Sequence, residues 1–141
     1  MAEAEVLQTA PQAALPYAAG FFDAVYCLSV FTHLDERMMG AWLGELKRVL
    51  KPGGILLFTV HGERAAAGLD KRSAEKFDRE GFHYRYSRKL HGIVPDWYNT
   101  TWHSRNYIVA RVQAISSEVR YTVIADGTQD FVAARVPVCN P

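Results

Sequence analysis

The chain has 141 residues, 49% hydrophobic and 22% charged, with 16 basic and 15 acidic side chains for a formal net charge of +1. That length suits one domain with a real core, and the even balance gives no electrostatic case for a nucleic acid or an anionic membrane surface as partner. The two cysteines, Cys27 and Cys139, lie far apart, no apolar run reaches the length of a membrane span, and the first residues lack the basic region and apolar core of a secretory leader, so a reducing, cytoplasmic setting is expected.

Residues 1–20 are rich in Ala, Gln and Pro. They read as an extended lead-in, mobile or laid over a surface, to a domain over 21–141. Residues 22–30 are almost continuously apolar, which suits a strand buried on both faces of a parallel sheet. Asp35 can cap the next helix, with Glu36 in its first turn. Met38, Met39, Trp42, Leu43, Leu46, Val49 and Leu50 then fall on one helical face. Pro52-Gly53-Gly54 stops that helix. Residues 55–60 form a second strand, and a right-handed crossover sets it parallel to the first.

His61-Gly62 ends the second strand. Residues 63–80 read as a helix with a break at Gly68. Residues 81–103 are aromatic, basic and irregular, and include His83 and His91. Ser104 can cap a third helix carrying Tyr107, Ile108, Val112 and Ile115. Residues 119–125 read as a strand, Asp126-Gly127 as a turn, and 131–138 as a strand returning antiparallel. Gln129-Asp130 reads as a turn feature.

Ligands of open parallel sheets bind beyond the carboxyl ends of the strands. Those ends hold Ser29, Thr32 and His33 after the first strand, and His61 and Glu63 after the second. His33 and His61 would face each other across neighbouring strand ends, and either can serve as a general base near neutral pH. The competing reading is ordinary turn chemistry at strand ends. Five histidines without ligand spacing and without a CxxC pair give no metal site. No P-loop, GxGxxG or GxSxG occurs. The aromatic stretch is either a substrate lid, with Tyr84, Tyr86, Trp97, Tyr98, Trp102 and His103, or packing over the sheet.

Three stretches carry a resemblance. The first is Leu15-Pro16 leading to Gly20, Phe22-Asp23 and Val25, then Ser29 to Leu34. The second is Glu45 with Arg48 to Gly54. The third is Trp102 to Val109 with Gln129 to Pro137. Together these resemble the C-terminal half of a class I S-adenosylmethionine-dependent methyltransferase, over roughly residues 9–138. The resemblance implies an α/β, Rossmann-like sheet of which this chain supplies strands 4-5-7-6, the last strand pair antiparallel. It implies S-adenosylmethionine as cofactor and a small-molecule or glycan- or lipid-linked acceptor. Thr9 (or Gln8) falls near the adenine side, and Leu28, Ser29, Phe31 and His33 line the methyl-bearing side. His33, His61 and the aromatic lid face the acceptor. The glycine-rich loop and the acidic ribose-binding strand end of that family are missing.

Half such a sheet would leave strand 22–30 without a neighbour and one sheet face without its helices. On the order of 500 Å² of apolar face is then expected to need a cover. The expected covers are a second copy of the chain in a homodimer, a partner chain or the rest of a longer polypeptide, or the chain's own residues 1–20 or 81–103. The alternative to an enzyme completed in this way is a non-catalytic binding or assembly module derived from a methyltransferase.

Overall fold

A computed structural model describes residues 6–8, 12–87, 92–116, 118–125 and 127–138. The expectations for Thr9, His91, Asp126 and Cys139 lie outside these residues. The elements in order are β1 (Phe22–Cys27), α1 (Glu36–Val49), β2 (Leu50–Val60), α2 (Glu63–Ala66), α3 (Lys71–Glu80), β3 (Phe82–Arg85), β4 (Thr100–His103), α4 (Arg105–Gln113), β5 (Glu118–Thr122) and β6 (Asp130–Arg135).

The main sheet has the order β1-β2-β6-β5. β1 runs parallel to β2, with Val25 beside Leu56 and Cys27 beside Phe58. β6 lies antiparallel to β2 on one side and to β5 on the other. This is the expected 4-5-7-6 arrangement, with the last pair antiparallel. β1 is shorter than the apolar run: residues 28–34 leave the sheet as a loop.

α1 forms where the apolar spacing places it. Asp35 Oδ1 accepts from the Met38 N–H at 2.7 Å, and Glu36 opens the helix while Lys47 and Arg48 close it. This arrangement complements the helix dipole at both ends. Replacing Asp35 by Ala is expected to lower stability by about 1 kcal/mol, read from the urea midpoint, because the Met38 N–H loses its acceptor.

α1 and α4 cover the same face of the sheet. Met39, Leu43 and Leu46 of α1 and Ile108 and Val112 of α4 form one core with Leu56, Phe58, Val60 and Val132. The other face is bare among the described residues. Tyr26 is 74% and Ile55 42% exposed, and Leu57 and Phe131 are half-buried beside them. The expectation that strand 22–30 is buried on both faces is therefore corrected. Both helices lie on one side, and the alternate residues of β1 face outward.

Among the described residues, neither internal cover reaches the bare face. Residues 12–20 are strapped to α1 instead: the Leu15 N–H donates to Glu45 Oε1, and Arg48 donates to the Leu15 and Tyr17 carbonyls. The aromatic stretch is not irregular throughout. β3 and β4 pair antiparallel, Phe82 with His103 and Arg85 with Thr100. This small sheet stands at the carboxyl end of β2, where His61 bridges to Trp102. The break expected at Gly68 within 63–80 is present: α2 and α3 are separated by residues 67–70.

Candidate functional site

The loops after β1 and β2 lie side by side because their strands are neighbours. Ser29 takes a positive φ of 57°, a conformation a non-glycine residue adopts only when its surroundings hold it. Here its N–H donates to Thr59 Oγ1 at 2.8 Å, and Gln129 Nε2 donates to its hydroxyl at 2.8 Å. Gln129, read as a turn feature, thus braces the loop from the position just before β6. Asp130 is buried on β6 and accepts from the Tyr121 hydroxyl at 2.6 Å. Gly62 makes room for that pair, since a Cβ there would overlap the Asp130 carboxylate.

The segment from Asn99 through β4 stitches the two loops together. The Thr101 N–H donates to the Thr32 carbonyl at 2.8 Å, and the His103 N–H to the His61 carbonyl at 2.9 Å. On the same segment, the Asn99 carbonyl lies 2.6 Å from His33 Nδ1 and the Thr101 carbonyl 3.1 Å from His61 Nδ1. Tyr98 stacks on the His33 ring, with centroids 3.9 Å apart and planes at 18°. Burial lowers the pKa of His61 from its ordinary value; the Thr101 carbonyl opposes this, and the charge of nearby His33 adds to it. His61 is thus biased toward the neutral, proton-accepting form.

The other candidates divide. His33, His61, Tyr98 and Trp102 come together, the Trp102 ring lying 6.0 Å from that of His61. Leu28 and Ser29 are exposed on the loop, and Gln8 is exposed in the lead-in. Phe31 is fully buried against Phe58, ring centroids 4.4 Å apart, and it also lines the apolar cavity beside α1. Thr32 is fully buried too. Glu63 accepts from the Arg105 N–H at 2.7 Å and so ties α2 to the start of α4.

The lid residues separate in the same way. Trp102 and His103 are buried within β4, and Arg85 lies over the Trp102 ring. Trp97 turns toward α1, where with Leu15, Val25, Trp42 and Leu46 it lines an apolar cavity of about 380 Å³. Tyr84 donates to the Trp97 carbonyl. Tyr86 alone of the six is more than half exposed. Asn99 was missed by sequence reasoning: nothing in a polar residue between aromatics signals that its carbonyl holds a histidine 66 positions away.

Among the described residues no group of three or more His, Cys, Asp or Glu side chains could hold a metal ion. No helix among them is long and apolar enough to cross a membrane.

Comparison with known proteins agrees with this geometry. Residues 2–58 match the family model described as a methyltransferase domain. Among solved structures, a SAM-dependent methyltransferase from Methanosarcina mazei is 17% identical with a TM-score of 0.62, over 90% of this chain and 65% of that one. The Burkholderia thailandensis 1,6-didemethyltoxoflavin-N1-methyltransferase, solved with 1,6-didemethyltoxoflavin and S-adenosylhomocysteine, is 11% identical with a TM-score of 0.58, over 91% of this chain and 49% of that one. Human N-acetylserotonin methyltransferase, in complex with SAM, is 14% identical with a TM-score of 0.57, over 93% and 33%. The chain thus spans less than two thirds of the length of each. The shared fold is that of class I SAM-dependent methyltransferases, present here as a partial domain.

Proposed function

We propose, from the premise that the chain carries part of a class I methyltransferase fold, that it is the acceptor-side portion of a SAM-dependent methyltransferase. The observation that carries the reading is the joined pair of strand-end loops, with His33 and His61 held on one backbone segment. When bound, S-adenosylmethionine supplies an electrophilic methyl group on a sulfonium. The enzyme then has to align the acceptor and take up its proton. His33 and His61 are placed for the proton, and the Tyr98 stack holds the His33 ring plane.

The residues present fit only one wall of a donor site. Leu28 and Ser29 form an exposed loop edge beyond β1, and the outer edge of β1 pairs with no described strand. The glycine loop and acidic strand end belong to strands that would pair there. A further stretch of polypeptide, in a longer chain or a second one, is therefore required to enclose the donor. The acceptor is a small molecule or a glycan- or lipid-linked group. The alternative of a non-catalytic assembly module has no observation of its own in its favour.

The test is a fusion. The N-terminal part of the Methanosarcina mazei structure, joined ahead of β1, is expected to bind S-adenosylhomocysteine with micromolar affinity in calorimetry. The 141 residues alone are expected to show none. A folded fusion without binding would overturn the cofactor reading. Micromolar binding by the chain alone would overturn the need for a second stretch.

A further inference from the structure

We infer that the backbone of Asn99 and Thr101 fixes both His33 and His61 as Nδ1–H tautomers, leaving Nε2 as the proton acceptor on each, and that the Asn99 side chain is the positioning residue that holds this segment in place.

A backbone oxygen only accepts, so the ring nitrogen facing it must carry the proton. Nδ1 of His33 faces the Asn99 carbonyl at 2.6 Å, and Nδ1 of His61 faces the Thr101 carbonyl at 3.1 Å. A neutral imidazole has one N–H, so the other nitrogen, Nε2, keeps its lone pair. The Asn99 carbonyl immediately precedes β4 and the Thr101 carbonyl lies on it, so one short stretch of backbone faces both rings. One segment therefore sets two histidines from two different loops.

Asn99 anchors that stretch. Its side chain is 2% exposed and makes three hydrogen bonds. Oδ1 accepts from the Ser87 N–H at 2.9 Å, and Nδ2 donates to the Tyr84 hydroxyl and to the Asp96 carbonyl, each at 2.8 Å. The amide orientation is unambiguous, because the Ser87 N–H only donates and the Asp96 carbonyl only accepts. Tyr84 in turn donates to the Trp97 carbonyl at 3.2 Å. The amide thus ties the segment after β3 to residues 96–99, and so places the carbonyl that holds His33. A buried, satisfied network of this kind costs more to break than its separate bonds suggest.

The chemical consequence rests on the methyl-transfer reading. A neutral Nε2 is a base, so the acceptor it serves is one whose attacking atom carries a proton, a hydroxyl or an amine. On methylation the proton leaves that oxygen or nitrogen for Nε2, as the new bond to carbon forms and the carbon–sulfur bond breaks, its electron pair staying with sulfur.

The test is the tautomer itself, read by long-range nitrogen–proton NMR on the chain without donor or acceptor, at about pH 9, where an ordinary imidazole is neutral. Nε2 of both His33 and His61 is expected to be unprotonated. Asn99→Ala keeps the carbonyl but removes its anchors, and is expected to move the two His33 nitrogen shifts toward each other. His61, held by Thr101, should not change. Tyr84→Phe, which removes one anchor, is expected to do the same to a smaller degree, and it serves as the deciding variant if Asn99→Ala does not fold. Protonated Nε2 or an even mixture at His33 in the unaltered chain would overturn the inference, as would variants that leave His33 unchanged. A fixed tautomer in a fusion that binds no donor would overturn only the methyl-transfer reading.

Discussion

Acidification from pH 7.5 to 4.5 is expected to cost this fold on the order of 3 kcal/mol through His103 alone, before most of its carboxylates titrate. His103 is fully buried in β4, and neither ring nitrogen has a hydrogen-bond partner among the described residues. Burial pushes its pKa down to about 3, with the charge of His61 adding to the effect. In the unfolded chain the same ring takes its proton near pH 6.5. Between those two values the unfolded state binds a proton that the folded state refuses, so stability falls as pH drops. The contribution is complete above about pH 6.5 and gone by about pH 3. Burial lowers His61 and His83 as well, which acts in the same direction.

The lowered carboxylates work in a separate, more acidic window. Glu45 is held down to about 2 by Arg48 and the Leu15 N–H, and Asp70 is lowered by its Ser73 bonds. Their stabilisation is present above about pH 4.5 and lost below it. Urea midpoints across pH 7.5 to 4.5 therefore isolate the histidines. His103→Leu, close in volume and without nitrogens, is expected to flatten that slope. It is also expected to raise stability at neutral pH by about 1–3 kcal/mol, since an unpaired buried polar group is costly. Parallel slopes for the two proteins would refute the assignment.

The strand–helix–strand unit was legible because its signals are local. Asp35 sits three positions before the apolar spacing begins, Pro52 to Gly54 follow its end, and a run of Ile, Leu and Phe comes after. β1, α1 and β2 fall there with shifts at their ends, where residues 28–30 leave the sheet and residues 50–54 join β2. β3 and β4 were not legible. His83 and Trp102 face each other across that pair, but so many of their neighbours are aromatic that no alternation of apolar and polar residues marks either strand. The site was half legible for a related reason. That His33 and His61 share a region follows from the topology of parallel strands. What holds them is a pair of carbonyls contributed from residues 99–101, and carbonyls carry no sequence identity. One-sided burial was hidden too, because an outward-facing Tyr26 or Ile55 looks the same in sequence as a buried one.

The chain by itself is expected to self-associate through its bare face, and Tyr26→Lys with Ile55→Lys is expected to weaken that association at least tenfold. The face between β1 and β6 presents Tyr26, Ile55, Leu57 and Phe131, with Glu118, Arg120 and Arg135 beyond them. An apolar area on the order of 500 Å² is at the upper end of what a monomer shows. At about 25 cal/mol per Å² its exposure forgoes roughly 12 kcal/mol, an amount comparable with a whole domain's net stability. Two such faces meeting bury roughly 1,000 Å², near the lower limit of a specific interface, so the affinity should be micromolar and not tighter. β1 adds an edge that no described strand pairs, which favours contact with a second strand. Both substituted residues already reach solvent, so lysines there should leave the core of Phe58, Leu43 and Ile108 intact. Sedimentation velocity across a concentration series reads the association, and binding of a hydrophobic dye reads the exposed face. If instead an added N-terminal stretch covers this face, the fusion described above should be monomeric and should bind little dye without any lysine. A monomeric, dye-silent chain at high micromolar concentration would mean that the face needs no cover.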